Sequence, residues 1–208
     1  MNWKEFLKEK RNRVELVITL FLLAIVLTSL ANFLNYVEAR KGVLLPDPLL
    51  NLFNPIDLTW LIFALIYISL VVAIATLAQN PKRLLFAVQL YTSMVLVRIV
   101  AMFLLPLEPP TTMIILNDPL VEFFGTGQTL TKDLFFSGHT ATLLILFLVS
   151  EKKIIKIVFL LSTIAVAIAV LLQHVHYSID VFAAVFFTYA CYCFLSHLRF
   201  GGVNKWQD

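Results

Sequence analysis

The residues most capable of chemistry are three histidines and one aspartate in two short segments. His139 lies in DLFFSGHT, and His174 and His176 lie in QHVHYSIDV. Asp180 follows His176 by four residues, a spacing that places both side chains on one face of a helix. A carboxylate bonded to one imidazole nitrogen fixes the tautomer and leaves the other nitrogen free to react. The pattern therefore predicts acid–base and nucleophilic chemistry by His139, His176 and Asp180.

The triplet Ser137-Gly138-His139 has the composition of a phosphate-binding helix start. Serine is a favourable N-cap residue, and glycine lets a ligand approach the backbone closely. The unpaired N–H groups and the dipole of a helix N-terminus favour an anion. The triplet alone carries little information, but its pairing with the HxxxD pattern of His176 and Asp180 is specific.

The remaining candidates for metal or redox chemistry are few. His174 and His176 form an H-x-H pair, but no cluster of acids or thiols completes a metal site. Cys191 and Cys193 would point to different sides of a helix, and His197 lies at the end of the last apolar stretch. We interpret these three as packing or interfacial residues, and we expect no metal and no other cofactor.

The composition indicates a protein embedded in a membrane. Of 208 residues, 60% are hydrophobic and only 14% are charged, whereas soluble domains have about 45–50% apolar and about 25% charged residues. The formal net charge of +3 is too small to indicate nucleic-acid binding. The oligomeric state is not readable from the sequence.

Six apolar stretches have or approach the length of about 20 residues that a membrane-spanning helix needs. The fourth is short and begins with polar residues. The sequence predicts an all-α fold, one six-span membrane domain over residues 1–208. The predicted spans cover residues 16–34, 58–78, 84–105, 134–150, 154–172 and 179–198.

Lysine and arginine are distributed unevenly between the two sides of these spans. Twelve of the 16 basic residues fall in the N-terminus, the second-to-third loop, the fourth-to-fifth loop and the C-terminus, whereas the other side has Arg40, Lys41 and Lys132. The positive-inside rule predicts that both termini are cytoplasmic. The SGH and HxxxD motifs then lie on the periplasmic or exoplasmic side. The small chain with no appended soluble domain suggests a bacterial inner-membrane protein.

Arg98 lies within the third span, roughly 10 Å below the outer end of its helix. A charge at that depth is unfavourable unless it is paired or faces a cavity. We interpret Arg98 as a clamp for a phosphate group, and the alternative is an ion pair with Asp133 or Asp180. Asp133 either steadies His139 or faces water.

Aromatic and acidic side chains in the outward segments are candidates for contact with a cationic head group. Most phenylalanines at membrane depth are expected to be packing residues, so we assign no cage and retain Tyr177 as a candidate substrate-binding residue. The full set is Phe123, Phe124, Phe135, Phe136 and Tyr177, with Glu108, Asp118 and Glu122.

The two motifs resemble those of the type 2 phosphatidic acid phosphatase superfamily, and they are most similar to its sphingomyelin synthase branch. DLFFSGHT resembles the third signature of that branch and HYSIDVFAAVFF the fourth. Leu45-Pro46-Asp47 and residues 83–106 resemble the first two signatures more weakly, so the resemblance covers about residues 45–195. The phosphatase superfamily's first motif is absent, and Ala169-Val170 stand where its Ser-Arg pair precedes HxxxD.

The resemblance implies a six-span enzyme with a His-His-Asp triad. His176, oriented by Asp180, would attack the phosphorus of a phospholipid such as phosphatidylcholine or phosphatidylethanolamine. His139 would protonate the leaving diacylglycerol and then activate an acceptor hydroxyl from ceramide, another lipid alcohol or water. Arg98 and the N–H groups near Ser137 and Gly138 would hold the phosphate oxygens.

Two other functions remain open at this stage. A lipid phosphate phosphatase would act on phosphatidic acid or an isoprenyl diphosphate, but a dianionic phosphomonoester calls for several fixed cations. The few cations on the outer side favour a monoanionic phosphodiester. A non-catalytic membrane protein, either a degenerate family member or a small transporter, is the third possibility, although both motifs are intact and no span shows the interruptions typical of transporters.

Overall fold

The computed structural model describes residues 2–117 and 130–201. Within these residues the chain forms seven α-helices, one short 3₁₀ helix over Leu50–Leu52 and connecting loops. The α-helices are α1 (Trp3–Lys8), α2 (Lys10–Ala39), α3 (Thr59–Leu77), α4 (Pro81–Leu104), α5 (Gly138–Val149), α6 (Lys153–Leu172) and α7 (Ser178–Phe200).

Five of these helices are long and apolar enough to cross a membrane, namely α2, α3, α4, α6 and α7. The chain is therefore a multi-pass integral membrane protein. Five of the six predicted spans lie inside the observed helices or extend at most one residue beyond an end of them. α2 contains 30 residues and is about 45 Å long, so it extends beyond the hydrocarbon of a bilayer at about 30 Å.

The predicted fourth span, residues 134–150, is helical only over Gly138–Val149, which is too short to count among the helices long enough to cross a membrane. α5 has only 12 residues, a length of about 18 Å. The reason is the N-cap at Ser137, whose side-chain oxygen accepts a hydrogen bond from the Thr140 N–H and fixes the helix start at Gly138. Phe135, two residues earlier, has a φ of 67°, which is incompatible with continuing the helix backwards.

α5 is a core helix rather than a lipid-facing one. Eight of its 12 residues are buried, as expected for a helix that is apolar on all sides. It contacts α3, α4, α6 and α7. It begins beside Arg98 of α4 and ends where the Val149 carbonyl accepts a hydrogen bond from Arg83. The short helix and the non-helical segment before it recess the SGH motif into the bundle.

The two ends of the bundle differ in chemistry. At one end Trp3 donates to the Ala78 carbonyl and Arg83 pairs with Glu151. At the other end the loops before α3 and α5 meet the turn between α6 and α7, where the Ile56 N–H donates to the Leu172 carbonyl at 2.9 Å. We call these the basic end and the motif end.

A network of charged side chains joins the loops at the motif end. Glu38 accepts hydrogen bonds from the backbone N–H groups of Thr131 and Lys132, both at 3.0 Å. The Lys132 ammonium lies 3.0 Å from the Glu108 carboxylate, which also accepts from the Gly42 N–H at 2.8 Å. The bond from Gly42 and then that from Lys132 hold the pKa of Glu108 below its usual value. Gly42 has no room for a Cβ, which would lie 2.5 Å from the carbonyl carbon of Leu107.

Candidate active site

His176 and Asp180 form a buried pair at the start of α7. The His176 Nδ1 lies 3.1 Å from Oδ2 of Asp180, and the residues are only 2% and 0% exposed. The same oxygen accepts a hydrogen bond from the Tyr177 N–H at 3.1 Å. The expected hydrogen bond across four residues is therefore present. With Nδ1 donating to the carboxylate, Nε2 of His176 carries the lone pair.

His139 stands opposite this pair. It is the second residue of α5, and its ring centroid lies 6.3 Å from that of His176, with the planes inclined at 61°. The Ser137 N–H donates to the Asp180 carbonyl at 3.2 Å. That backbone bond ties the start of α5 to the start of α7 and holds the SGH and HxxxD motifs together.

Ser137 and Gly138 take different parts in this arrangement. The Ser137 side chain is fully buried, and its hydroxyl interacts with the Thr140 hydroxyl at 3.0 Å as well as capping the helix. Gly138 lies against the guanidinium of Arg98, since an added Cβ would sit 2.9 Å from the Arg98 Cζ. The glycine therefore allows a cation to reach the helix start.

Arg98 forms an ion pair with Asp133. The sequence left Asp133 and Asp180 as candidate partners of Arg98, and the structure pairs Arg98 with Asp133. The Arg98 residue is only 9% exposed. It contacts both an acid and the backbone of the SGH motif, so the ion pair positions the guanidinium within the candidate site.

Tyr177 is placed differently from the other candidates. Its hydroxyl donates to the Glu108 carbonyl at 2.9 Å, and its ring packs in a cluster with Leu50, Leu107 and Leu134. Burial raises the pKa of the Tyr177 hydroxyl. The side chain joins two loops of the motif end and is not among the residues that line the cavity described below. The head-group candidates Asp118, Glu122, Phe123 and Phe124 lie outside the described residues.

An apolar cavity of about 680 Å³ opens from the candidate site into the bundle. Arg98, Asp133, Gly138 and His139 form its polar end. Most of the remaining wall consists of leucine, isoleucine, alanine and tyrosine side chains of α2, α3, α4 and α5. From Arg98 to Leu84, another lining residue, the cavity follows α4 for 14 residues, or roughly 21 Å. This shape fits an amphiphile with a polar group beside His139 and a long apolar chain.

Two supporting residues of the site were given no role from the sequence. Asp47 accepts a hydrogen bond from the Ser178 N–H at 2.6 Å and another from the Leu49 N–H at 3.0 Å. Burial raises the pKa of Asp47, but these hydrogen bonds outweigh it and the net pKa is lowered. Gln173 is fully buried and bonds to Leu58, Thr59 and Ile114. The weak resemblance of Leu45-Pro46-Asp47 to a family signature was the signal for the first, and a glutamine beside the H-x-H pair was the signal for the second.

His174 is expected to make the folded protein less stable in mild acid. Burial lowers the pKa of His174 below its usual value of 6.5, so just below that pH the unfolded chain binds a proton that the folded chain does not. The free energy of unfolding is therefore highest above the pKa that His174 has in the unfolded chain. It decreases as the pH drops toward the lower pKa that His174 has in the folded protein. The thermal midpoint in detergent should decrease between pH 7.5 and pH 5.5, and His174→Gln should reduce that decrease. His197→Gln, which removes an exposed imidazole at the basic end, is the control, and an equal change in both variants would contradict this role.

Residues 2–117 and 130–201 contain no group of three or more His, Cys, Asp or Glu side chains that could hold a metal ion. His174 does not join His176 in a shared site, because its Nδ1 interacts with the Thr112 hydroxyl and its ring packs against Phe53. The two histidines of the H-x-H pair therefore contact different residues, His174 contacting Thr112 and Phe53 and His176 contacting Asp180. That the chemistry needs no metal stays a prediction.

Comparison with known proteins gives one match. Residues 132–198 match the family model described as the PAP2 superfamily C-terminal domain. The matched range includes the SGH and HxxxD motifs and spans α5, α6 and most of α7. No curated protein and no solved structure matches the chain.

Proposed function

Because the chain carries a PAP2 superfamily C-terminal domain of the kind found in sphingomyelin synthase-like proteins, we propose that it is a phospholipid head-group phosphotransferase or a phospholipase C-type hydrolase. Members of the superfamily are generally enzymes that act on lipid phosphates. The observation that carries the proposal is the pair of facing imidazoles, one of them bonded to a buried carboxylate, at the polar end of a lipid-sized cavity. We propose His139, His176 and Asp180 as the catalytic residues.

The proposed reaction has two displacement steps. In the first, Nε2 of His176 attacks the phosphorus, the bond from phosphorus to the diacylglycerol oxygen breaks, and His139 donates a proton to that oxygen. In the second, His139 takes the proton of an acceptor hydroxyl, whose oxygen attacks phosphorus while the phosphorus–nitrogen bond breaks. The first step leaves His139 as a base, so it is already in the state that the second step needs.

The proximity of the two histidines supports their joint action on one phosphorus. The nucleophile and the leaving group must stand on opposite sides of phosphorus, and two imidazoles whose ring centroids lie 6.3 Å apart are close enough for both to contact one phosphoryl group. The Arg98 guanidinium, held against Gly138, is close enough to the SGH backbone to share the non-bridging oxygens with its N–H groups.

The charge balance of the cavity supports a phosphodiester substrate. Among the described residues that line the cavity, Arg98 is the one permanent cation, and Asp133 already neutralises it. Lys132 is bound to Glu108 and to the Arg40 carbonyl, and Arg40 donates to the carbonyls of Met102 and Phe103. A monoanionic diester needs less positive charge than a dianionic monoester, so phosphatidylcholine or phosphatidylethanolamine is preferred over phosphatidic acid.

An assay with labelled donors tests the proposal. Purified protein in detergent is given phosphatidylcholine or phosphatidylethanolamine labelled in the head group, with and without ceramide, and phosphatidic acid in parallel. Release of the phosphorylated head group without an acceptor indicates hydrolysis, and a labelled sphingolipid indicates transfer. Turnover of phosphatidic acid alone would contradict the diester argument and favour a lipid phosphate phosphatase.

The location of the reaction is also a proposal. The charge asymmetry of the loops supports cytoplasmic termini and a site on the periplasmic or exoplasmic side, as in a bacterial inner-membrane protein. Thiol labelling of single cysteines introduced at the motif end and at the basic end of the bundle, from the outside of intact cells, tests this orientation. Labelling of only the basic end would contradict it.

Filling the cavity should weaken binding of long-chain substrates. Ala31 of α2 lines the cavity and is half-buried, so Ala31→Phe places a ring in the space proposed for an acyl chain. We expect KM for a long-chain donor to rise about tenfold, whereas a short-chain donor with the same head group should change little. Ala24→Phe, on an exposed position of the same helix outside the cavity, is the matched control. The tenfold rise in KM corresponds to the loss of roughly 1.4 kcal/mol of apolar contact. Equal effects of Ala31→Phe on both donors would contradict the acyl-chain assignment.

A further inference from the structure

A second cavity lies at the basic end, about 920 Å³ in volume, between α2, α4 and α7. Its lining residues differ from those of the candidate active site throughout. Gln89, in its wall, precedes Arg98 by nine residues of α4, or roughly 14 Å along the helix. We call it the basic-end groove, and the proposed reaction gives it no role.

The polar wall of the groove is an interhelical network. Arg199 of α7 lies 3.1 Å from the Glu15 carboxylate of α2, and it also donates to the side-chain oxygen of Gln89. The Gln89 amide donates to Glu15 at 3.0 Å and to the Thr19 hydroxyl at 3.1 Å. The single acid of the groove is therefore neutralised by Arg199.

Two cations at the groove are left uncompensated. Lys10 and Arg11 line the groove and are exposed, and neither has an ion-pair partner within residues 2–117 and 130–201. With Glu15 and Arg199 balanced, the groove carries a formal charge of +2. An anion is the group that these two side chains favour.

Much of the remaining lining is apolar and follows the membrane-spanning part of α2. Ile18, Leu22 and Leu96 line it, and the distance from Arg11 to Leu22 along α2 is about 16 Å. The groove thus presents two cations at one end of a long apolar wall. A molecule with an anionic head and an apolar tail satisfies both parts.

We propose that the basic-end groove binds one phospholipid of net negative charge from the leaflet at the basic end. A zwitterionic lipid offers a phosphate but also brings a cation toward Lys10 and Arg11. Each lysine or arginine near an anionic lipid surface contributes an energy equivalent to about fivefold in affinity. Two such residues correspond to a preference of roughly 25-fold for phosphatidylglycerol over phosphatidylcholine.

Lipid binding to the purified full-length protein tests the proposal. The delipidated protein in detergent is titrated with phosphatidylglycerol or phosphatidylcholine, and bound lipid is counted by native mass spectrometry. We expect one tightly held phosphatidylglycerol that Lys10→Gln/Arg11→Gln releases, with the preference falling to near onefold. Lipid bound in the active-site cavity should be the same in the native protein and in the variants, so the difference in bound lipid between them reports on the basic-end groove alone.

The matched control is Lys4→Gln/Lys8→Gln, which removes two positive charges from α1 at the same end but outside the groove lining. It should keep the preference, and an equal loss in both double variants would overturn the site in favour of general surface charge. Unchanged binding in Lys10→Gln/Arg11→Gln would also overturn it. Soluble glycerol phosphate at the same concentration should not displace the lipid; displacement would mean that the groove holds an anion without a tail and would reject a phospholipid site.

Discussion

Replacing His176 with alanine is expected to reduce turnover at least 10³-fold while leaving the folded protein intact. The variant loses the nucleophile, so no covalent intermediate forms and the two-step route is closed. The measurement is head-group release from the preferred donor, with the thermal midpoint in detergent as the test of folding. His197→Ala is the control for removing one histidine, since His197 is exposed at the basic end. Retained turnover in His176→Ala would remove the proposed nucleophile.

His139→Ala should be equally inactive on natural lipids but for a different reason. The diacylglycerol alkoxide needs a proton in order to leave, and His139 is the proposed donor. A p-nitrophenyl ester of phosphocholine has a leaving group that needs no proton, so its first step does not require His139. We expect His139→Ala to release one equivalent of nitrophenol in a burst and to hold phosphocholine on His176.

The two variants therefore separate the two roles. His176→Ala should give no burst and no labelled protein with the nitrophenyl substrate, whereas His139→Ala should give both, and peptide mapping should place the label on His176. A label on His139, or a burst in His176→Ala, would exchange the proposed roles. Equal slow turnover without a burst in either variant would point to direct attack by water and contradict the covalent route.

The sequence predicted the features that depend on local spacing. The apolar runs located five long helices, because the length needed to cross a bilayer is a property of the run itself. The four-residue spacing of His176 and Asp180 predicted the hydrogen bond that the structure contains at 3.1 Å. Charge counting identified one basic end of the bundle. Each of these follows from residues that are neighbours along the chain or on one helix.

The sequence failed where distant segments decide the outcome. The apolar run over residues 134–150 was expected to form one long span, but its helix begins only at Gly138, where Phe135 has a positive φ and the Ser137 N–H is bonded to the Asp180 carbonyl of α7. The depth of Arg98 was readable from its helix, but the choice between Asp133 and Asp180 as its partner was not, because Asp133 comes from a loop 35 residues away. The contact of Asp47 with Ser178 joins residues 131 positions apart. Pairings of this kind depend on the packed bundle and have no local signature.

Arg98→Ala should lower kcat/KM for the phosphodiester donor by 10² to 10³-fold, equivalent to about 2.7–4 kcal/mol for loss of one preorganised oxyanion partner. The same change leaves Asp133 without its ion-pair partner beside the site. We therefore expect the protein to lose about 3 kcal/mol of stability as well. Turnover and thermal unfolding of the same preparation measure the two effects.

The double variant Arg98→Ala/Asp133→Asn separates the clamp from the ion pair. It removes the uncompensated carboxylate, so stability should return toward that of the native protein while turnover stays low. A purely structural Arg98 would predict the opposite, namely that activity recovers together with stability. Arg98→Lys is a useful intermediate, since it keeps the charge but loses the planar fork that can hold two oxygens at once.

Asp133→Asn alone extends the argument to substrate charge. It keeps Arg98 but removes the acid that neutralises it, so the polar end of the cavity gains one unit of positive charge. A dianionic substrate gains more from that change than a monoanionic one. We expect the rate with phosphatidic acid to rise about tenfold relative to the rate with phosphatidylcholine. If the ratio does not move, the charge of the Arg98–Asp133 pair does not set the preference for a diester, and the shape of the head-group space must set it instead.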